Sequence, residues 1–218
     1  MPPSTSPSCT PPAEAAAWGL PALERFYRFH AAIYDWTRPL LLFGRRRVVQ
    51  ALDLRPGERV LDVGCGTGWS LPRLARTGGR VIGVEPSAPM RRRAAARLLR
   101  LGLQDQIALD PRPYGIHPDY EAGLDAVLFS YSLSMVPPFG EVLARARRDL
   151  RSGGRIGVVD FLDARGPVAF GLVRSHVHLG RARLDGLRQL FPQHALTVRS
   201  VGLWRYFLFV GGCRERAD

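Results

Sequence analysis

Val60-Leu61-Asp62-Val63-Gly64-Cys65-Gly66-Thr67-Gly68 is the stretch on which the fold turns. An apolar, β-branched run ends in an acid and then in three glycines, each two residues apart. The pattern reads as a buried strand entering a tight turn. Without side chains, the turn lets a ligand lie against bare backbone. A dinucleotide fingerprint, G-x-G-x-x-G, would want small residues at 66 and 69, and position 69 is Trp69. A G-x-x-x-x-G-K-[ST] phosphate loop is excluded, because the chain has no lysine.

Outward from this turn, strands and helices alternate. Strands are expected near 59–63, 80–84, 106–109, 124–130 and 155–160, with helices near 70–76, 87–101 and 139–150. Val81-Ile82-Gly83-Val84 and Ala126-Val127-Leu128-Phe129 are apolar on both faces, as a parallel sheet covered by helices demands. Right-handed crossovers then give a doubly wound sheet. A last helix near 180–191 and strands near 196–201 and 204–211 would complete seven strands. The expected class is α/β, a Rossmann-like, doubly wound, mostly parallel seven-stranded sheet. Residues 1–19, rich in Pro, Ser and Ala, read as a disordered tail. Residues 20–218 form one domain, with lid helices over 20–55. The first lid helix carries Leu23, Phe26, Tyr27, His30, Ile33 and Tyr34 on one face.

A chain of 218 residues, 46% hydrophobic, suffices for one α/β core. The net charge of +12 rests on 31 basic residues, all of them Arg. That usage fits the bias of a GC-rich genome, with an anionic membrane surface or nucleic acid as the alternatives. Arg45-Arg46-Arg47 and Arg91-Arg92-Arg93 read as solvated helix faces or as seats for anionic headgroups. Three scattered cysteines, Cys9, Cys65 and Cys213, fit a reducing cytoplasm and no metal site. Neither a signal peptide nor a spanning apolar run is evident, so any lipid would be reached peripherally, at the inner membrane face.

Leu61-Asp62-Val63-Gly64-Cys65-Gly66-Thr67-Gly68 resembles motif I of the class I S-adenosylmethionine (SAM) methyltransferases. The resemblance spans about 58–160 and implies SAM as cofactor. It assigns the turn Gly64, Cys65, Gly66, Thr67 and Gly68 to the methionine part and ribose, with Asp62 bracing it. Glu85, followed by Pro86, ends the second strand 17 residues after Gly68. A carboxylate there offers two oxygens to the two ribose hydroxyls. The bland alternative is an acid at a helix start. Asp110 would reach the adenine amino group, although Pro111 departs from the family's small residue. Ser130 and Tyr131 would face the sulfonium and the acceptor. Met90 would pack on adenine or in the core. Arg151-Ser152-Gly153-Gly154 resembles the family's turn into the fifth strand.

Ser130-Tyr131-Ser132-Leu133 is neither the [ND]-P-P-[YF] of nucleobase amine methyltransferases nor a Pro-Cys pair, so nucleic acid is not expected. Tyr27–Arg38, Leu42–Arg46, Phe129–Pro137 and Val159-Asp160-Phe161 resemble bacterial lipid headgroup N-methyltransferases, nearest to those acting on diacylglyceryl-homoserine or phosphatidylethanolamine. That resemblance implies methylation of a headgroup amine. A soluble or quinone-type acceptor methylated on carbon or oxygen, and a non-catalytic SAM-binding protein, are the alternatives. A neutral amine supplies its own lone pair, so alignment in a dry site carries most of the acceleration. Tyr34, Trp36 and Tyr131 would form an aromatic wall for the growing cation. His30, His176 and His178 are the candidate proton acceptors. As core residues, His30, Tyr34 and Trp36 would instead pack within the lid.

Overall fold

A computed structural model describes residues 42–115, 120, 123–136 and 138–212. The tail at 1–19 and most of the expected lid, with His30, Tyr34 and Trp36, lie outside the described residues. The elements run α1 (Arg45–Ala51), β1 (Arg59–Val63), α2 (Leu71–Ala75), β2 (Arg80–Val84), α3 (Ala88–Arg100), β3 (Ile107–Asp110) and β4 (Leu124–Ser130). After a 3-10 turn at Leu133–Met135 come α4 (Phe139–Asp149), β5 (Leu150–Ala164), α5 (Gly166–Arg174), α6 (Ala182–Leu190), β6 (His194–Val201) and β7 (Trp204–Gly212).

The seven strands form one sheet in the order β3-β2-β1-β4-β5-β7-β6. The first five strands pair in parallel, and β7 runs antiparallel to both β5 and β6. The sheet is therefore Rossmann-like and mostly parallel, with an antiparallel edge. Chain order reverses between β1 and β4, and a crevice opens beyond the carboxyl ends of strands at such a switch point.

Alternation along the strands builds both cores. Leu61, Val63, Val127 and Phe129 face one side, where α4 and α6 bring Val142, Leu143, Leu184 and Leu187. Val60, Ala126 and Leu128 face the other, where α1 and α2 bring Val48, Leu52, Leu71 and Leu74. Each such side chain, fully buried, contributes about 1.5–3 kcal/mol. Helix α3 starts at Ser87-Ala88-Pro89, where proline tolerates the first turn, and ends at Gly102, whose φ of 66° suits the position after a helix.

The differences from expectation lie after residue 150. Strand β5 starts earlier than expected and absorbs the Arg151–Gly154 turn through a register shift against β4. No element was expected over 166–174, where α5 stands, and its Gly166-Pro167 start and interior Gly171 are weak helix formers. His176 has a φ of 61° in the turn after α5, so His176 and His178 do not belong to an extended segment.

Candidate functional site

The glycine turn occupies the carboxyl end of β1. Gly64, Gly66 and Gly68 have φ values of 68°, 59° and 73°, a region costly for other residues. Gly64 and Cys65 donate their N–H groups to the Val84 carbonyl, at 2.9 and 3.0 Å. The Gly66 N–H donates to Glu85 Oε2 at 2.8 Å, and the Ser87 N–H to Glu85 Oε1 at 2.9 Å. Glu85 thus ties the turn after β1 to the start of α3. Burial pushes its carboxyl up to about 7, against the pull of those two N–H groups.

The glycines serve different ends. A Cβ on Gly64 would stand 2.6 Å from the Ser132 Cβ, and one on Gly68 would stand 3.1 Å from the Ala94 Cβ. These two let neighbouring chain approach. A Cβ on Gly66 would meet nothing within 4 Å among the described residues, so among them the open side of the turn is at Gly66.

Asp62 is fully buried beneath the turn. Its Oδ2 accepts from the Ser70 hydroxyl, and its Oδ1 has no hydrogen-bond partner among the described residues. Burial raises this carboxyl to about 7, opposed by Ser70 and by the Arg45 charge. A narrow cavity beside it is lined by Leu42, Arg45, Gly64, Cys65, Gly66, Thr67, Trp69, Ser70 and Ser130. The guanidinium carbons of Arg45 and Arg73 lie 4.2 and 3.8 Å from the Trp69 ring centre. Cys65 is buried, and desolvation pushes its thiol well up, which removes it as a nucleophile at neutral pH.

The other candidates divide. Asp110 stands at the carboxyl end of β3, but its carboxylate accepts from Arg112 Nε and Nη2 and, at 2.7 Å, from the Tyr120 hydroxyl. Burial raises this carboxyl, yet those bonds hold it down at about 2. Tyr131 has a φ of 58° and is buried. Its hydroxyl donates to the Phe43 carbonyl at 2.7 Å, and its ring centre is 4.7 Å from that of Phe161. Tyr131 therefore closes the gap between β4 and the chain before α1. Ser132 Oγ donates to the Val63 carbonyl at 2.6 Å, joining the tips of β1 and β4. Met90 is a core residue, 1% exposed. Among the described residues, no group of three or more His, Cys, Asp or Glu is placed to hold a metal ion.

The basic clusters are not uniform. Arg45 lines the cavity, and Arg91 Nη1 donates to the Glu85 and Pro86 carbonyls. Arg46, Arg47, Arg92 and Arg93 are exposed. Arg45 and Trp69 had no signal beyond a basic run and a failed fingerprint. Arg183 carried no motif, Asp160 stood in the quoted Val159-Asp160-Phe161 stretch without a role of its own, and the burial of both was invisible in the sequence.

SAM presents a diol, an ammonium, a carboxylate and a sulfonium. The residues present fit it. Gly66 leaves room over the backbone, Glu85 and the orphaned Asp62 Oδ1 are acceptors, and Arg45 brings a cation to the same cavity.

Comparison with known proteins gives a consistent result. Residues 60–154 match a family model described as a methyltransferase domain. The demethylmenaquinone methyltransferase of Corynebacterium glutamicum is 33% identical over 172 residues, covering 77% of this chain and 67% of that protein. The nocamycin O-methyltransferase of Saccharothrix syringae is 39% identical over 138 residues, covering 59% of this chain but only 47% of that protein. Among solved structures, the Haemonchus contortus phosphoethanolamine N-methyltransferase 2 superposes with a TM-score of 0.75 over 88% of this chain and 59% of that one. Its identity of 12% makes this a likeness of fold.

Proposed function

The chain belongs to the class I SAM-dependent methyltransferases, and on that premise we propose that it methylates an amine on a polar lipid headgroup. The observation that carries the cofactor half is the Gly66–Glu85 pair. One carboxylate fixes the Gly66 N–H while the opposite side of that glycine stays open. SAM supplies an electrophilic methyl group on a cationic sulfur. In this reading Glu85 accepts the ribose hydroxyls, Asp62 Oδ1 accepts the ammonium, and Gly64, Cys65, Thr67, Gly68, Pro86 and Ser130 shape the channel. Asp110 would take the adenine amino group only by giving up one of its bonds to Arg112 or Tyr120, which together occupy both of its oxygens.

The acceptor half rests on the stretch Phe129–Val136 at the tip of β4, whose residues resemble those of lipid headgroup enzymes. Methyl transfer there forms a carbon–nitrogen bond as the carbon–sulfur bond breaks, and the new ammonium loses a proton before the next turnover. Tyr131 walls the cation's side of the site, and Tyr34 and His30 on the lid complete the wall and take the proton. The protein reaches its lipid from an anionic membrane surface. No helix among the described residues is long and apolar enough to cross a membrane.

A second reading, C-methylation of a quinone-type acceptor, is favoured by the 33% identity to the Corynebacterium glutamicum relative. The two separate on acceptor chemistry. Purified protein with SAM would be offered vesicles of phosphatidylethanolamine and, separately, a prenylated naphthoquinol in detergent. S-adenosylhomocysteine released only with the vesicles supports the amine. Release only with the naphthoquinol replaces it by the second reading.

A further inference from the structure

Arg183 sits on α6 and is 4% exposed, yet its Nε and Nη2 have no hydrogen-bond partner among the described residues. A guanidinium stays charged at any ordinary pH, so burying it unpaired is strongly unfavourable. Its place in the fold is at the carboxyl end of the sheet. Its guanidinium carbon lies 5.9 Å from the centre of the Phe139 ring, and Phe139 opens α4 just beyond the tip of β4.

Two neighbours define the spot. Asp160, fully buried near the end of β5, is the carboxylate whose charge Arg183 feels. Both Asp160 oxygens are already used. Oδ2 accepts the Ser134 N–H at 2.7 Å, and Oδ1 accepts the Phe161 N–H at 2.8 Å. Ser134, in the turn after β4, is 0% exposed, and its hydroxyl lies against the Asp160 carboxylate without a well-formed hydrogen bond among the described residues.

Nε and Nη2 form the edge of a guanidinium that grips two oxygens side by side. On two other arginines that edge is filled by a carboxylate. Arg112 turns it on Asp110, and Arg205 turns it on Asp163. On Arg183 the same edge has no oxygen among the described residues, and the Ser134 hydroxyl is a further buried donor at the same Asp160 carboxylate. We propose that Arg183 and Ser134 hold an oxyanion, a carboxylate or a phosphate, carried by the methyl acceptor. Asp160 is a positioning residue that holds Ser134 by its backbone and balances the guanidinium. The inference rests on the methyltransferase reading and narrows it. An acceptor with an anion beside its amine fits, and a quinol does not.

The test compares phosphoethanolamine with ethanolamine by calorimetry on the S-adenosylhomocysteine complex. The phosphate-bearing compound is expected to bind roughly 10- to 100-fold more tightly, the range for losing a hydrogen-bonded charge pair. Arg183→Gln should abolish that preference and Ser134→Ala should shrink it, both with unchanged affinity for S-adenosylhomocysteine. Equal binding of the two compounds by the wild type, or a preference that survives Arg183→Gln, overturns the proposal. If Arg183→Gln does not fold, a full preference in Ser134→Ala overturns it. Competition of phosphatidylethanolamine vesicles against soluble phosphoethanolamine distinguishes a lipid anion from a free one, and either winner supports the subsite. Inorganic phosphate is tested separately on the cofactor-free protein by thermal unfolding. A rise in melting temperature in the wild type but not in Arg183→Gln supports the subsite even if no S-adenosylhomocysteine binds, a result that would sink only the cofactor reading.

Discussion

Gly64 and Gly66 are both left-handed, but substitutions at them should fail differently. Gly64→Ala drives a Cβ to 2.6 Å from Ser132, and overpacking of that kind costs about 1–3 kcal/mol of stability. The Cβ of Gly66→Val meets no atom of the described residues within 4 Å, so its folding cost is mainly the backbone strain of about 1–2 kcal/mol. Its main effect should be on SAM, whose binding it should abolish. Urea unfolding and SAM calorimetry on both variants separate the two losses. Wild-type SAM affinity in Gly66→Val would mean that the ligand lies elsewhere. Glu85→Ala should weaken SAM binding by about 1.5–3 kcal/mol, the range for hydrogen bonds to a charged group. Because burial places the Glu85 carboxyl at about 7, and the ionised form is the better acceptor, SAM affinity should rise as pH passes through 7. Glu85→Gln should flatten that profile. These residues were legible because glycine spacing and a strand-end acid are local patterns. Arg45, Trp69, Arg183 and Asp160 were not, since burial and stacking between distant segments leave no mark in spacing.

At the scale of elements, α1 packs on the sheet. Gly157 on β5 lies directly under it, where a Cβ would be 3.0 Å from Leu52 Cγ and 3.1 Å from Val48 Cγ2. Arg155, on the same strand, donates to the Leu52 carbonyl and, at 2.7 Å, to the Asp53 carbonyl at the end of α1. Gly157→Val should cost about 1–3 kcal/mol in urea unfolding by lifting α1. It should also weaken SAM binding, because α1 carries Arg45 into the cavity. A destabilised variant with unchanged SAM affinity would show that α1 does not shape the site. The parallel strands β1, β2 and β4 were legible to the residue, because strands buried on both faces read as unbroken apolar runs between turn signals. Helix α5 was hidden by its glycines. The early part of β5 was hidden because pairing, rather than apolarity, makes it a strand.

At the scale of the whole molecule, burial raises three carboxyls among the described residues, Asp62, Glu85 and Asp160, and these shape the response to pH. Asp62 and Glu85 are both raised to about 7 in the folded chain, from roughly 4 when unfolded. Between those values the folded state binds more protons than the unfolded state, so stability falls as pH rises from about 4 to about 7. Asp110, held at about 2, works the other way, and its contribution is lost as pH falls below 4. The melting temperature of the ligand-free protein should therefore decline between pH 4 and 7, and Asp62→Asn should remove part of the decline. The charge of +12 has a site-specific side as well. Arg46, Arg73 and Arg76 line one shallow depression between α1 and α2. Reversing exposed Arg46, Arg47 and Arg76 to Glu should abolish binding to anionic vesicles, at about 1 kcal/mol per residue, while sparing SAM affinity. Unchanged vesicle binding would remove the membrane seat. The central claim is methyl transfer from SAM to a lipid amine. Purified protein, a bacterial extract and SAM labelled on its methyl group would be incubated together and partitioned between chloroform and water. The account expects protein-dependent label in chloroform, released into water as a methylated amine by alkaline hydrolysis and absent with Gly66→Val. Label that stays in water from the start, or no transfer at all, would contradict it.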